Sequence, residues 1–358
     1  MKITKRVKLA IIGAGGWGEE HAKNFKAIPG CRIVAACDSN ATRAEEFAKK
    51  HGIPEVFSSV GKLLKRAKID AVSIVTPDRL HLPVTLECLA HGKHVLCEKP
   101  LALNHADAKK MVAAAGKAGV VNMVNFTYRN WPCLQSASAS IRRGDIGEIR
   151  HVEASYLQAW LASKIWGDWR TTPAWLWRLS AAHGSKGVLG DVGVHIVDFA
   201  TYPAGPLREV SCRLKSFPKA PGNKIGKYRL DANDSAVMTV EFANGALGVI
   251  HTSRWVGGHA NRLFLKISGT LGTIEIDSDR STTSYRECRG HGLDKCKWKE
   301  IACKPVLTNF QKFIKAIRTG TPGEPDFARG AEVQKVLDAC IESDARHLPV
   351  RISQTRIR

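Results

Sequence analysis

Residues 7–18 decide the fold, and they read VKLAIIGAGGWG. The first six residues form an apolar run of strand length, and a helical pattern follows the glycines to about residue 27. The last six match GxGxxG, which between a strand and a helix predicts a dinucleotide-binding turn. Gly13 permits the tight turn, Gly15 lets a pyrophosphate approach the backbone, and Gly18 lets helix and sheet pack closely. The residues predicted to line the cofactor here are Gly13, Ala14, Gly15, Gly16, Trp17 and Gly18.

The rest of the first third alternates short apolar runs with helical patterns. Strands are predicted at 32–37, 71–76, 94–98 and 120–126, and helices at 42–51, 82–91 and 105–118. Continuous apolar strands separated by helices indicate a parallel sheet that is covered on both faces. We therefore predict a Rossmann domain over residues 1–128. A glycine turn in an α/β domain that binds no ligand is the alternative.

The middle of the chain has a different, alternating pattern. Residues 149–159 and 235–242 alternate apolar with polar side chains, which is typical of strands with one buried face. Asn244-Gly245 stands before another such run at 246–253, and this dipeptide is a strong hairpin signal. These runs predict an α+β domain over residues 129–358 with a large, mostly antiparallel sheet.

Helical patterns return at residues 307–317 and 333–341. We expect these C-terminal helices to pack back towards the Rossmann domain, and the fold class of the whole chain is α/β. The loop at 217–231 is rich in Pro, Gly and Lys, so we expect it to be mobile.

The composition is strongly basic. The chain has 54 Lys and Arg residues against 33 Asp and Glu, which gives a formal net charge of +21. The excess is spread along the chain, without a block of about five like charges. This distribution argues against a dedicated nucleic-acid-binding arm, so we predict no specific nucleic-acid partner. It is compatible with attraction to anionic ligands.

The ten cysteines contain no CxxC pair, and several stand in apolar runs. This usage favours reduced, buried thiols and a cytoplasmic location. No metal site is predicted, because the loose group at Cys288, His291, Cys296 and Cys303 fits no zinc spacing. No apolar run approaches the roughly 18 residues of a membrane span, so no membrane partner is predicted.

Asp38 bears on the choice of cofactor. It ends the second predicted strand, where a carboxylate accepts hydrogen bonds from the adenosine ribose hydroxyls. A carboxylate also repels a 2′-phosphate, so NAD is favoured over NADP. Arg43 would counter this repulsion if it reached back, but we expect it to face solvent on the next helix.

Two further strand ends carry candidate residues. Thr76 and Pro77 end the third long strand, and the carboxyl ends of parallel strands form the ligand crevice. His81 either lines this crevice or caps the next helix. Lys99 ends the following strand, where a buried lysine near a nicotinamide can act as a proton shuttle. The alternative is a surface lysine in a turn before Pro100.

Asp191 and His195 stand in a glycine-rich entry to an apolar helix. Positions i and i+4 share one helical face, so both side chains are expected to point the same way. Gly193 between them keeps the facing surface open. A histidine near a carboxylate is a plausible acid–base group. A helix-capping aspartate with an unrelated core histidine is the alternative.

Five motifs and the single residue Asp38 follow one another along the chain. They are GAGGWG at 13–18, Asp38, TPDRLH at 76–81, EKPLA at 98–102, NFTYRNWP at 125–132 and GDVGVH at 190–195. With them, the chain resembles the glucose–fructose oxidoreductase, inositol dehydrogenase and rhizopine-catabolism (Gfo/Idh/MocA) family over nearly its whole length. The resemblance implies a Rossmann domain followed by an α/β domain with a large, mostly antiparallel sheet, as the two patterns above predict.

The resemblance also implies roles for single residues. Lys99, Asp191 and His195 are implied to be catalytic and to contact the substrate. Residues 156–160 and 177–178 look like the branch that acts on pyranoses, glycosides and anhydrosugars. By that likeness Gln158 faces the substrate, and Trp177 and Arg178 face the nicotinamide end. The other residues implied to contact the cofactor are Asp38, Thr76, Pro77, His81, Glu98, Lys99 and Asn125.

The implied activity is NAD-dependent oxidation of a secondary hydroxyl of a sugar, glycoside or cyclitol, with hydride transfer to nicotinamide C4. Lys99 and His195 are expected to share the hydroxyl proton, with Asp191 orienting or charging His195; which of the two is the base stays open. The alternatives are a redox-assisted glycoside hydrolase of the same fold and a non-enzymatic NAD-binding sensor. The family is commonly oligomeric, so we expect a homodimer or homotetramer.

Five tryptophans cluster within one short stretch, at positions 160, 166, 169, 175 and 177. Their faces suit the apolar face of a sugar ring, but tryptophans are equally good core or interface residues. The sequence leaves these two interpretations open, together with the identity of the sugar and the direction of the reaction.

Overall fold

The computed structural model describes residues 6–353, which separate into two units. The first unit contains the residues up to Thr127 together with Leu307–Gln334, and the second contains Tyr128–Val306 together with the residues from Lys335 onward. The first unit's N-terminal segment ends at Thr127, one residue before the boundary at residue 128 that the sequence predicted. The segment 307–334, which the sequence placed in the second domain, belongs to the first unit because its helix packs into that unit's core.

A six-stranded sheet forms the centre of the first unit. Its strands are β1 (Val7–Ile12), β2 (Cys31–Cys37), β3 (Glu55–Phe57), β4 (Ala71–Ile74), β5 (His94–Cys97) and β6 (Asn122–Val124). They lie in the order β3-β2-β1-β4-β5-β6, and all neighbours are parallel. The strand order reverses between β1 and β4, and such a switch point is where open α/β sheets bind ligands. The predicted Rossmann arrangement is confirmed.

Five helices connect these strands. They are α1 (Gly16–Lys26), α2 (Ala41–His51), α3 (Val60–Arg66), α4 (His81–Ala90) and α5 (His105–Ala118). The side chains of Asn40 and Asn104 accept hydrogen bonds from the first turns of α2 and α5, which satisfies backbone donors there. Gly52 and Gly119 end the same two helices in the left-handed region.

A nine-stranded, mostly antiparallel sheet dominates the second unit. The strands of this unit are β7 (Ile149–Leu157), β8 (Leu207–Lys215), β9 (Lys224–Ile225), β10 (Tyr228–Arg229), β11 (Ser235–Phe242), β12 (Leu247–Ser253), β13 (Arg262–Gly269), β14 (Gly272–Asp277), β15 (Ser284–Arg289), β16 (Lys299–Ala302) and β17 (Val350–Arg351). The large sheet has the order β16-β15-β14-β13-β7-β12-β11-β8-β17, while β9 and β10 form a separate hairpin. Within the large sheet, β7 and β12 pair in parallel and the other neighbours pair antiparallel.

The alternation seen in the sequence explains this sheet. In β7 the alternate residues Val152, Ala154 and Tyr156 are buried, as the pattern predicted. β11 and β12 form the hairpin that Asn244-Gly245 signalled, and Gly245 takes the left-handed conformation that the turn requires. The antiparallel prediction for this domain is confirmed.

Among the helices that accompany the sheet are α6 (Pro132–Arg142), α7 (Pro173–Leu176) and α8 (Val194–Ala204). A wide π-helical turn at Leu189–Gly193 leads into α8. The sequence argument for a shared face of Asp191 and His195 assumed regular α-helix, so the spacing alone does not justify it here. Gly190 is needed in this turn, because a Cβ atom there would lie 2.3 Å from the Cβ of Lys186.

The sequence predicted a mobile loop at 217–231, but the segment is not a loop throughout. It contains the hairpin of β9 and β10, and a buried lysine anchors it. The Lys219 Nζ atom lies 2.8 Å from a carboxylate oxygen of Asp234, and both side chains are fully buried. It also donates hydrogen bonds to the carbonyls of Phe217 and Leu230. Composition shows neither the pairing of β9 with β10 nor the ion pair of Lys219 with Asp234, which lies outside the segment.

The C-terminal part supplies α9 (Asn309–Thr319) and α10 (Phe327–Arg346). Thr308 and Gln311 form a capping box at the start of α9, and Gly320 ends it. Phe310 on α9 packs edge-on against Phe25 on α1 with ring centres 5.1 Å apart, inside the core of the first unit. Over residues 6–353, none of the helices is long and apolar enough to cross a membrane.

Candidate active site

The glycine turn after β1 has the shape of a phosphate cradle. Gly13 has a φ of +106°, and a Cβ atom there would lie 2.5 Å from the carbonyl oxygen of Val75. A Cβ at Gly18 would lie 2.5 Å from the carbonyl oxygen of Gly13. At Gly15 and Gly16, by contrast, a Cβ would meet nothing within 4 Å. Close packing therefore requires glycine at positions 13 and 18, whereas Gly15 and Gly16 border open space.

A buried hydroxyl beside this turn also fits a bound dinucleotide. The Oγ1 atom of Thr76, just after β4, is buried and has no hydrogen-bond partner within the described residues. Pro77, next in the chain, is exposed, and so is Trp17 on α1. A donor or acceptor supplied by a ligand at this sheet edge would satisfy the Thr76 hydroxyl. The residues present thus fit the cofactor that the motif predicts.

Asp38 is held in place at the end of β2. Its Oδ2 atom accepts hydrogen bonds from the Ala14 backbone N–H at 2.9 Å and from Arg43 Nε at 3.0 Å. Its Oδ1 atom accepts from the Asn40 N–H at 2.9 Å and from Arg43 Nη2 at 2.6 Å. Burial alone would raise the pKa of Asp38, but these hydrogen bonds hold it below its usual value. Arg43 remains half exposed, as expected for this helix position, but its guanidinium also reaches back and contacts both carboxylate oxygens, which was not expected.

His81 joins two turns at the same sheet edge. The side chain is fully buried at the start of α4. Its Nδ1 lies 2.7 Å from the carbonyl oxygen of Pro100, and its Nε2 lies 3.0 Å from that of Thr76. Because its ring is fully buried, His81 can act on a bound dinucleotide only indirectly, by positioning the turns that contain Thr76 and Pro100.

Glu98, at the end of β5, lies in a buried polar network. Its Oε1 atom accepts hydrogen bonds from His21 Nε2 at 2.8 Å and from Asn125 Nδ2 at 2.6 Å. His21 also contacts the hydroxyl of Ser73 at 2.7 Å. Burial alone would raise the pKa of Glu98, but His21, Asn125 and the nearby Lys99 lower it to about 2. Glu98 is thus a buried carboxylate anion.

Lys99 follows Glu98 directly and is half-buried. Its backbone N–H donates to the second Glu98 oxygen, at 3.2 Å. Because Lys99 follows β5 and the glycine turn follows β1, both lie at the carboxyl edge of one parallel sheet. A cationic side chain therefore stands at the edge where this fold binds ligands.

In the second unit, Asp191 is held by arginines. Arg254 Nη2 donates to Asp191 Oδ2 at 2.8 Å, and Arg178 Nε lies 3.9 Å from the same oxygen. Arg254 is fully buried, donates a second hydrogen bond to the carbonyl of Arg178, and lies over the Trp160 ring. Burial lowers the pKa of this guanidinium, and the Asp191 carboxylate opposes that effect.

His195 is nearly buried and stands beside two tyrosines. The Tyr128 ring meets it edge-on with ring centres 4.7 Å apart, and the Tyr156 ring lies at 6.4 Å. The two tyrosine hydroxyls are 2.5 Å apart. Tyr156 donates to the Asn261 Oδ1 at 2.7 Å, and Gln158 Nε2 donates to the same oxygen at 2.8 Å. A hydrogen-bonded chain of polar groups therefore borders His195 and includes the predicted substrate residue Gln158.

The tryptophan cluster divides into two groups. Trp160 and Trp169 are buried in a small apolar core, and the Trp160 indole N–H donates to Gln158. The partly exposed tryptophans at 166, 175 and 177 lie nearer the surface. Arg178 stacks over the Trp177 ring at 4.7 Å. Trp166 and Trp175 stack on each other with ring centres 5.8 Å apart and pack against this core, so four of the five tryptophans support the core interpretation.

Sequence reasoning missed four residues of these clusters: His21, Ser73, Arg254 and Asn261. Each is remote in sequence from the residue that it contacts, and none belongs to a motif. Across residues 6–353, no group of three or more His, Cys, Asp or Glu side chains is arranged to hold a metal ion.

Known protein families match segments of both units. The family described as oxidoreductases with an NAD-binding Rossmann fold matches residues 7–126, and the GFO/IDH/MocA C-terminal domain matches residues 134–275.

Individual relatives align over nearly the whole chain. The levoglucosan dehydrogenase of Pseudarthrobacter phenanthrenivorans is 27% identical, covering 98% of this chain and 99% of that protein. The 1,5-anhydro-D-fructose reductase of Ensifer adhaerens is 31% identical, and the alignment covers 91% of this chain and 94% of the reductase. A solved levoglucosan dehydrogenase in complex with NADH and levoglucosan matches with a TM-score of 0.88 at 26% identity, covering 98% of this chain and 100% of that one. With both domains matched, the chain belongs to the GFO/IDH/MocA family of oxidoreductases and carries its NAD-binding Rossmann fold.

Proposed function

We propose that this protein is an NAD-dependent dehydrogenase that oxidises a secondary hydroxyl of a sugar, glycoside or cyclitol. The observation that carries the proposal is the shared sheet edge, where an open glycine turn and Lys99 follow β1 and β5. The relatives named as dehydrogenases or reductases of anhydrosugars support the substrate class.

The chain's own residues would hold the cofactor as follows. The backbone of residues 13–18 would bind the pyrophosphate, with unpaired N–H groups of α1 directed at it. Asp38 would accept from the adenosine ribose, and Thr76 would use its unsatisfied hydroxyl. Trp177 and Arg178 would contact the nicotinamide end. When bound, the nicotinamide supplies the hydride acceptor for the carbinol carbon.

The remaining step is transfer of the hydroxyl proton. We assign it to Lys99 and His195, one of which takes the proton from the substrate hydroxyl. Glu98 fixes the backbone at Lys99 through its hydrogen bond to the Lys99 N–H. Asp191 would orient or charge His195, while the buried Arg254 holds the Asp191 carboxylate. Gln158 would bind a further substrate hydroxyl.

We further propose a homodimer or homotetramer formed through the outer face of the nine-stranded sheet. Val237 on β11 and Leu247 on β12 are both more than half exposed and would be covered by such an interface. Light scattering at micromolar concentration tests this, and a monomer would contradict it. The ten cysteines, none in a disulfide, are compatible with the proposed cytoplasmic location.

The decisive experiment is NADH formation measured by absorbance with NAD and a panel of anhydrosugars, glycosides, cyclitols and sugar acids. Binding of NAD is measured separately by calorimetry. We expect one class of substrate to give net NADH, and the stereochemistry of the product names the carbon oxidised. Cleavage of a glycoside without net NADH would instead indicate a redox-assisted hydrolase. NAD binding with no turnover on any compound would indicate a sensor.

A further inference from the structure

Asn261 is the centre of the hydrogen-bonded chain of polar groups beside His195. The strands β7 and β13 pair antiparallel, and this pairing places Asn261, just before β13, beside Gln158, just after β7. The Asn261 Oδ1 atom accepts hydrogen bonds from Tyr156 and Gln158. Its Nδ2 atom donates to the Tyr128 hydroxyl at 3.2 Å. One amide therefore joins three polar side chains.

The direction of these hydrogen bonds is fixed by Trp160. An indole N–H can only donate, and this one donates to Gln158 Oε1 at 3.1 Å. The Gln158 amide therefore turns its NH2 group towards Asn261, which must present its Oδ1 atom. The NH2 group of Asn261 then faces Tyr128. A donor-only group in the core thus orients an amide at the surface.

The hydrogens of the two tyrosine hydroxyls have fixed positions as well. The Tyr156 hydroxyl donates to Asn261, so the hydrogen between the two tyrosine oxygens, which are 2.5 Å apart, belongs to Tyr128. Burial and the neighbouring Tyr128 raise the pKa of Tyr156 well above its usual value, so Tyr156 keeps its hydrogen. A phenol has one hydrogen, and Tyr128 uses it on Tyr156. Towards a ligand, the Tyr128 oxygen can therefore only accept.

Two members of this network lie where a ligand can reach them. Asn261 is exposed and Tyr128 is half-buried, whereas Tyr156 and Gln158 are buried. Because Asn261 Nδ2 and Tyr128 Oη are 3.2 Å apart, one ligand oxygen can lie within hydrogen-bonding distance of both atoms. That oxygen must accept from the second N–H of the amide and donate to the tyrosine. A hydroxyl does both, whereas an ether oxygen or a fluorine atom cannot donate.

We propose that Asn261 is a specificity-determining residue, which makes the surface beside His195 select a hydroxyl over an ether, deoxy or fluoro group at one position of the substrate. Tyr128 contacts the His195 ring edge-on, so this position lies near the carbon that is oxidised. The inference rests on the proposed function for the presence of a sugar beside His195. It adds a second hydroxyl, besides the oxidised one, that the substrate must carry unsubstituted.

The test compares substrates that differ in one group. The compound of the sugar panel that forms NADH fastest is compared with its deoxyfluoro analogues, one for each hydroxyl that is not oxidised. The ratio of kcat/KM, hydroxyl over fluorine, is measured for the wild type, Asn261→Leu, Asn261→Asp and the control His259→Ala. His259 lies in the same loop but pairs with Asp279. Comparing the ratios between variants cancels the electronic effect of fluorine on hydride transfer.

The two Asn261 variants have opposite expectations. In Asn261→Leu the Tyr156 hydroxyl loses its acceptor and can donate to Tyr128, which can then donate to a ligand. The ratio at one position should therefore fall at least about tenfold. Asn261→Asp keeps an acceptor for Tyr156, and a carboxylate only accepts, so that ratio should stay within about threefold of the wild type or rise. His259→Ala should change every ratio by less than about twofold.

A merely structural role of Asn261 would lower kcat/KM by the same factor for every analogue. Unchanged ratios in Asn261→Leu, or equal changes in the Leu and Asp variants, would overturn the inference and leave the proposed function standing. Absence of NADH formation from every compound of the panel would refute the proposed function, and the inference with it.

Discussion

His81 carries a prediction about charge in the first unit. Its two ring nitrogens face the carbonyl oxygens of Thr76 and Pro100 at 3.0 and 2.7 Å. A neutral imidazole donates one hydrogen bond and the protonated ring donates two, so this geometry favours the imidazolium. Burial alone would lower the pKa of His81, but the Cys97 sulfur and the Pro100 carbonyl raise it to about 10.

The raised pKa makes the stability of this unit depend on pH. A rise from 6.5 to about 10 corresponds to at most about 5 kcal/mol in the free energy of unfolding. Because the folded-state pKa lies above the unfolded value, this contribution is present in full below pH 6.5 and is lost as the pH rises through about 10. His81→Asn should therefore destabilise the first unit by about 3–5 kcal/mol at neutral pH, and by less near pH 10.

The assay is nuclear magnetic resonance of the chain labelled at histidine, with urea unfolding of both proteins in parallel. The His81 signal is the one missing from His81→Asn. We expect it to keep imidazolium shifts from about pH 5 to 8.5, while an internal imidazole standard titrates normally. His91→Asn, at the exposed end of the same helix, is the control and should cost less than about 1 kcal/mol. A His81 ring that loses its proton near pH 6.5, or a destabilisation that is equal at pH 7 and 10, would refute this reasoning.

Three further predictions concern the proposed chemistry. Lys99→Met should lower kcat by about 10²–10⁴-fold while changing the Kd of ADP-ribose less than about threefold; near-normal turnover would exclude Lys99 from proton transfer. Arg254→Met should lower kcat by about tenfold or more and displace the pH–rate profile, because Asp191 loses its 2.8 Å partner; Arg254→Lys should recover part of the rate. An unchanged pH profile would leave Arg254 a merely structural role. Gly15→Ala should weaken ADP-ribose binding with little change in Tm, since its Cβ meets no protein atom, whereas Gly18→Ala should lower both. Equal Tm values for the two glycine variants would contradict this difference.

The elements of the fold were predictable because their signals are local. The apolar run and glycines at 7–18 determine a strand, a turn and a helix within one short window. The alternation at 149–159 and the turn at Asn244-Gly245 do the same for the second sheet. Gly13 and Gly18 are recognisable from the motif because the backbone approaches so closely there that a Cβ atom would not fit.

Arg43 shows where local reasoning fails. Its position on the first turn of α2 was predicted correctly, but a helix position does not fix a long side chain's direction. Asn40 caps the helix and Asp38 ends the strand, and together they present a carboxylate within reach of the guanidinium. The pairing of a flexible side chain depends on which charges the folded chain brings near it, and the Lys219–Asp234 pair was not predicted for the same reason.

The sequence by itself determined the fold class, the cofactor-binding turn and the family, because each strand, helix and motif is encoded by residues close together in the chain. It also named Lys99, Asp191 and His195, through motifs. Only the tertiary structure decided the partners of the charged groups, such as His21 beneath Glu98 and Arg254 against Asp191. Those contacts join residues 77 and 63 positions apart. A buried charge needs a partner from whichever element packs against it, and that choice exists only once the elements have packed.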